Sequence, residues 1–464
     1  MYHTNRLLLN DHWRVSADPT AVGKSITLPH SWNAHDTMHP DPAQHYRRGV
    51  WHYQRPLTVT ADPARGRRQW LHFEAAAMKA QVCLNERTLG GHVGGYTPFT
   101  LEVAGLPTGT EALLSTAVDN SPDPDLIPSD QSDFFLYGGL TRNVWQYETG
   151  PIRLAQLHIA ITLPTAEATA QLTCRAELDG SLNDTAVLHL TLLDPQGTAV
   201  WQTTQPITQP NHQADLPDVP QPRLWSPDNP QLYTLTAVVR LNGEVSDSVR
   251  ERLGFRHFDF PLGGPFYLNG ERLLLRGTHR HEDWAGHGSA VPDALSWQEM
   301  RQIKAAGFNF IRLGHYPQAD AVLDACDELG LLVWEELPWC RGGIGGETFK
   351  RQTRQMFREM VAHHYNRPSI VFWGLGNELD WESDHPDSTD EKVLAFLQEL
   401  HDLSHELDDS RLTALRRFEP GAAVVDVYSP SIWSGWYRGR YQDYERVLSA
   451  AIEKYPRLLH AEWG

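Results

Sequence analysis

Arg367-Pro368-Ser369-Ile370-Val371-Phe372-Trp373-Gly374-Leu375-Gly376-Asn377-Glu378 is the stretch on which the reading of this chain turns. The apolar run at 370–375 has the length and boundaries of a fully buried strand, with Pro368 before it and Gly376 after it. A carboxylate set just past such a strand, beside an amide, belongs at the rim of a pocket, because Glu is almost never buried without a partner or a task. The last stretch, Arg457-Leu458-Leu459-His460-Ala461-Glu462-Trp463-Gly464, again delivers a Glu at the carboxyl end of an apolar strand. Two strand-end carboxylates point to paired acid/base and nucleophile chemistry on a barrel.

Around these two places strands alternate with helices. Strands are expected at 273–277, 308–313, 331–336, 370–375, 411–415, 424–428 and 457–461. Helices are expected at 297–306, 319–329, 349–365, 391–407 and 441–452, with Gly307 and Gly330 as C-terminal stops. Such alternation builds either a doubly wound sheet or a (β/α)8 barrel. Polar residues follow nearly every strand (His279 to Asp283, His315, Glu336, Asn377, Glu378, Trp433 to Tyr437, Glu462), which favours the barrel over a single topological switch point. Seven strands are expected where a barrel needs eight, so residues 258–464 are read as a barrel lacking its last strand.

Upstream the texture is all-β. Residues 1–150 show short alternating runs separated by Gly, Pro and Asp clusters, as in Trp51-His52-Tyr53-Gln54 and Gln69-Trp70-Leu71-His72-Phe73, and a jelly-roll sandwich is the natural solution. Within it Asp133-Phe134-Phe135-Leu136-Tyr137-Gly138-Gly139-Leu140 has the make-up of a loop built for close approach or, equally, of a tight turn with a capping Asp. Residues 151–257 repeat the strand pattern over about one immunoglobulin-like unit and carry no titratable cluster.

A chain of 464 residues calls for two to three domains. Its net charge of −18 disfavours a nucleic-acid partner. Cys83, Cys174, Cys326 and Cys340 have no metal-binding spacing and read as free thiols in a reducing compartment. The apolar run Leu7-Leu8-Leu9 is too short for a signal peptide and no stretch reaches the length of a membrane span, so a soluble, cytoplasmic protein without a membrane partner is expected.

The motifs in this order resemble glycoside hydrolase family 2, the family of β-galactosidases, β-glucuronidases and β-mannosidases, over essentially the whole chain. Leu28-Pro29-His30-Ser31-Trp32-Asn33 and Tyr46-Arg47-Arg48-Gly49 resemble its opening strands. Leu224-Trp225-Ser226-Pro227-Asp228-Asn229-Pro230 resembles the end of its middle sandwich, and Arg276-Gly277-Thr278-His279-Arg280-His281-Glu282-Asp283 its first barrel strand. The resemblance implies an exo-acting retaining β-glycosidase on a carbohydrate substrate, β-galactosides ranked first and β-glucuronides second. It assigns Glu378 as acid/base and Glu462 as nucleophile, their carboxyls about 5–5.5 Å apart, with Glu462 raising the pKa of Glu378. Asn377, Asp133, His281, His315, Glu336, Trp433, Trp436 and Tyr437 become substrate-binding candidates. Homo-oligomers are common in the family and remain open here.

Four departures bear on the sugar. His279 stands where the family often has Asn, Gly314 where it usually has Ser, Trp433 where many members have Tyr, and Trp463 follows Glu462 in place of Tyr or Phe. Leu337-Pro338-Trp339-Cys340-Arg341 does not match the Mg²⁺-binding Glu/His pair of some members, so no metal and no cofactor are expected. Two other readings stand beside this one. In a barrel metallohydrolase His279 and His281 would ligate a metal with His315 and Glu336. The other is an inactive or purely carbohydrate-binding fragment.

Overall fold

A computed structural model describes residues 1–462. Its architecture is the expected one: a jelly-roll sandwich, an immunoglobulin-like sandwich and a TIM-barrel-type α/β body. Trp463 lies outside the described residues.

The first sandwich packs a six-stranded antiparallel sheet, centred on Val50–Thr58 and Glu111–Asp119, over a four-stranded one containing Arg68–Phe73 and Val144–Thr149. Along Glu111–Asp119 every second residue is buried, the period that puts alternate side chains on one face. The second sandwich sets Arg153–Thr162, Ala170–Asp179 and Asn211–Val219 against a five-stranded sheet. The fifth strand of that sheet is Tyr2–His3, which pairs with Val249 and Arg250, so the chain's first residues belong to the second sheet system.

The third body is a parallel sheet of six strands in sequence order: β1 (Gly277–Arg280), β2 (Phe310–Leu313), β3 (Leu332–Glu336), β4 (Ile370–Asn377), β5 (Leu412–Arg416) and β6 (Val427–Ser429). Between them run α1 (Asp293–Ala305), α2 (Asp320–Leu329), α3 (Glu347–His364) and α4 (Asp390–Leu407), with α5 (Tyr444–Lys454) after β6. β2, β3 and β4 are buried at every residue, because helices cover one face and core side chains fill the other. Gly374 lets β3 and β4 meet closely: a Cβ there would come within 2.3 Å of both Glu336 and Trp334. α2 ends on Gly330 at φ 73°, a left-handed stop that glycine adopts without cost.

α1 begins at Asp293, four residues ahead of the expected 297, and β6 begins at Val427 where 424 was expected; two further elements differ. β1 begins at Gly277 and not at Leu273, because 273–276 lie ahead of the pairing with β2. The strand expected at 457–461 reduces to one parallel bridge, Tyr428 to Leu458, fixed by hydrogen bonds from Tyr428 N to Arg457 O and from Leu459 N to Tyr428 O. It sits in the seventh position beside β6. Among the described residues no helix is long and apolar enough to cross a membrane, and the four cysteines are free.

Candidate active site

The carboxyl ends of β1 to β6 converge on one polar cluster. Arg312, at the third position of the otherwise apolar β2, is its hub and is buried to 1% exposure. Its guanidinium donates to both oxygens of Glu336 (2.9 and 3.1 Å), to Asn377 Oδ1 (2.9 Å) and to Glu462 Oε2 (2.8 Å). A charge buried this deeply is tolerated only when it is paired and fully hydrogen-bonded, and these contacts supply that.

Glu378 stands one residue past β4 with φ 52°, a left-handed backbone that non-glycine residues rarely adopt and that clusters at functional sites. Its carboxylate meets three guanidiniums: Arg341 at 2.7 Å, Arg417 at 3.1 Å and Arg416. Burial would raise its pKa, but Arg416 and Arg341 outweigh burial and hold it below the usual carboxylate value. The expected upward shift caused by Glu462 is therefore corrected, because three cations surround Glu378. Arg416 also pairs with Glu462 at 3.2 Å, so one guanidinium spans the gap between the two strand-end carboxylates.

The remaining candidates separate by depth. Glu336 is fully buried, its oxygens committed to Arg312 and to His315 Nδ1. It therefore braces the site from below, where direct contact with a substrate was expected. Burial raises its pKa against the pull of Arg312. Asn377 is 2% exposed, with Oδ1 held by Arg312 and Nδ2 donating to Cys340 Sγ at 3.3 Å. His279, His281 and His315 form a triangle with ring centroids 4.8–5.1 Å apart, His315 edge-on to the other two. Burial first, and Arg312 as a nearby cation, push all three imidazoles toward the neutral form.

That triangle brings three imidazole ligand atoms within 4.8 Å of one another, as the metallohydrolase reading requires. Arg312, 3.2 Å from His315 Nδ1, sets a fixed positive charge against a divalent ion there, and Glu336 is already bonded on both oxygens. The Arg312 charge and the prior commitment of Glu336 count against a cation there.

A loop of the first sandwich forms one wall. Asp133 pairs with Arg341 at 2.6 Å, Phe134 packs against His281 and His315, and Tyr137 donates to Asp283 at 2.9 Å. Asp133 and Phe134 thus lie against the polar cluster, which favours the close-approach reading of this loop over the tight turn. Trp433 joins the cluster through Arg417, whose guanidinium lies 5.3 Å from its ring. Trp436 and Tyr437 lie further out: they are 66% and 75% exposed and pack edge-on against each other, and Tyr437 also packs edge-on against Trp433 at 5.3 Å.

Two departures noted in the sequence are one feature. A Cβ at Gly314 would lie 1.8 Å from His279 Nε2, so the imidazole occupies the space a larger residue at 314 would need. The residues missed by sequence reasoning are the arginines. Arg312 did carry a signal, being a charge inside a buried apolar run; Arg341, Arg416 and Arg417 carried none beyond their place after strands.

Residues 263–461 match the TIM barrel domain of the glycosyl hydrolases family 2, and residues 152–256 match the domain described as glycosyl hydrolases family 2. A protein of Formosa agariphila, provisionally named a β-glucuronidase, is 43% identical over 95% of this chain and 53% of its own length. A β-galactosidase of Thermoanaerobacter pseudethanolicus is 29% identical over 91% of this chain and 55% of its own. The solved β-glucuronidase of Parabacteroides merdae superposes with a TM-score of 0.92 at 38% identity, over 99% of this chain and 61% of that one. The chain thus spans about half the length of the curated relatives named here.

Proposed function

The chain belongs to glycoside hydrolase family 2, and on that premise we propose that it hydrolyses terminal β-linked sugars with retention of configuration, β-glucuronides before β-galactosides. This order reverses the one expected from sequence; the relatives and solved structures of higher identity carry the β-glucuronidase name. The observation that carries the reading is the pair Glu378, one residue past β4, and Glu462, four residues past the bridge at Leu458, both in contact with Arg416. A guanidinium shared by both carboxylates gathers them at one centre, which supports the paired acid and nucleophile roles.

In this reading Glu462 attacks the anomeric carbon while Glu378 gives a proton to the departing oxygen. Water activated by Glu378 then hydrolyses the glycosyl ester. Arg312 and Arg416 orient the Glu462 carboxylate. Arg312 also fixes Asn377, whose placement beside the acid suits a contact with the sugar's 2-hydroxyl.

The test is hydrolysis of 4-nitrophenyl β-glucuronide, β-galactoside, β-glucoside and β-mannoside by the chain and by Glu378→Ala and Glu462→Ala. Turnover of the glucuronide, lost in both variants, is the expected result. Turnover that survives both substitutions overturns the mechanism; turnover of the galactoside alone overturns the substrate order.

A further inference from the structure

Away from the cleft, α4 carries His401 and His405 one helical turn apart, a spacing that sets both imidazoles on one face. Their ring centroids lie 4.7 Å apart at an interplanar angle of 75°. Asp426, the residue ahead of β6, meets the same face, its Oδ2 2.9 Å from His405 Nε2. One ligand atom from each of the three side chains lies within 4.8 Å of the other two. The group sits toward the amino ends of β5 and β6, whereas the carboxylates of the cleft follow the carboxyl ends of their strands.

Thr413 of β5 sets the chemistry of this face. Its Oγ1 donates to Asp426 Oδ2 at 2.9 Å and has no second proton, so at 2.8 Å it accepts the Nδ1 proton of His401. The lone pair of a neutral His401 is thereby fixed on Nε2. A metal-ligating imidazole is held in the same way, handing its other N–H to a polar neighbour. The hydrogen bonds of the Asp426 carboxylate, with Thr413 N, Thr413 Oγ1 and His405 Nε2, all fall on Oδ2, so among the described residues Oδ1 has no donor. The His405 and Asp426 side chains keep 33% and 19% of their surface open, so an ion can reach them from solvent.

Charge separates this cluster from two others of similar make-up. The triangle of His279, His281 and His315 lies against Arg312, and Asp320, which gathers His363 and His364, is bonded to Arg367 at 3.2 Å. On His401 and His405 the charges acting most strongly from outside the pair are those of Asp402, Asp408, Asp409 and Asp426. Asp408 is paired with Arg411, while Asp402 and Asp409 make no ion pair among the described residues, so this face carries surplus negative charge. We propose that His401, His405 and Asp426 hold a divalent transition-metal ion of the zinc class, which clamps α4 onto β5 and β6. Two imidazoles and a carboxylate are donors that such ions prefer, whereas Mg²⁺ and Ca²⁺ take oxygen ligands. Ligand atoms of a tetrahedral zinc site stand about 3.3 Å apart, given bonds of about 2.0 Å. The ion therefore replaces the proton between His405 and Asp426 and widens their gap by a few tenths of an ångström. Water completes its coordination.

Metal binding is read without turnover. The chain, treated with EDTA and returned to neutral buffer, is dialysed against zinc chloride. One equivalent is expected to bind with a dissociation constant in or below the micromolar range. His401→Gln, His405→Gln and Asp426→Asn should each weaken it at least tenfold, with circular dichroism showing the variants folded. Co²⁺ in place of Zn²⁺ should give the visible absorption bands of a four- or five-coordinate ion, lost in the same variants. Mg²⁺ or Ca²⁺ in tenfold excess should leave the zinc in place. Zinc should also raise the thermal midpoint of the parent and leave that of His401→Gln unmoved. A parent that retains no zinc overturns the inference, as do several weak equivalents that none of the three substitutions alters. Zinc lost in His279→Asn and kept in His405→Gln overturns it too, because the ion then belongs to the cleft. Displacement by Mg²⁺ or Ca²⁺ overturns the transition-metal class, and a parent melt that zinc does not move overturns the clamp. Hydrolysis enters none of these readouts, so failure of the proposed function and failure of the metal site are told apart.

Discussion

Gly314 and His279 form a pair whose separate roles a double-mutant cycle will expose. Gly314→Ser alone pushes a Cβ into the imidazole and is expected to destabilise the chain by about 1–3 kcal/mol, the usual cost of overpacking. His279→Asn empties that space, so the double variant should recover most of the loss in chemical denaturation; equal loss in the single and double variants would refute the pairing. Glu378 makes a second residue-scale prediction. Its pKa is depressed in the folded state, so its arginine contacts stabilise the fold above the ordinary value of 4.5 and cease to do so as pH falls through the folded value. Glu378→Gln should therefore narrow the stability difference between pH 7 and pH 3, measured by urea midpoints at each pH. The two carboxylates were legible in sequence because each ends an apolar run. The guanidiniums around them were not, since Arg is an ordinary surface residue and only the folded parallel sheet brings those after different strands together.

At the scale of elements, α4 is pinned to the sheet by one carboxylate. Asp426, just ahead of β6, accepts from Thr413 N and Oγ1 of β5 at 2.9 Å and lies 2.9 Å from His405 Nε2 of α4. Burial opposes its charge, yet His405 and Thr413 hold its pKa at about 2, while the hydrogen bond with Asp426 raises that of His405. The Asp426 contribution is present above its ordinary 3.8 and fades toward pH 2; the His405 contribution is complete below 6.5 and fades as pH rises through its raised value. Asp426→Asn should thus cost most between those two values, about 1–2 kcal/mol for a charge-assisted bond, with a smaller loss on either side in pH-resolved melts. A second element-scale prediction concerns the sandwich loop, where Arg142 pairs with Glu282 of the barrel at 3.0 Å and both are buried. Arg142→Met strands that carboxylate and should destabilise the chain by about 3 kcal/mol. Long, continuously apolar strands such as β4 were readable from sequence within two residues. The bridge at Leu458 was not, because an apolar run states that a segment is buried and leaves open how many residues pair.

At the scale of the molecule, α2 holds the bodies together with a stripe of acids. Asp320, Asp324 and Asp327 share one helix face and meet Arg367, at the entry to β4; Arg367 also donates to Tyr2 on the chain's first strand at 3.2 Å. Arg252 of the second sandwich joins at Asp324. Arg367→Met leaves three carboxylates short of a cation and should cost about 3–5 kcal/mol, splitting a single thermal transition into two. The order of the three bodies was legible in the change of texture near residue 258. The return of Tyr2–His3 to the second sandwich was not, since two residues carry no periodicity. One wall of the cleft, the segment from Asp133 to Tyr137, is supplied by a different body from the one that carries Glu378 and Glu462. An exchange of genetic material that replaced the first sandwich would replace that wall with it, so the sandwich and the barrel are bound to descend together, and the unit that inheritance can shuffle is larger than either fold.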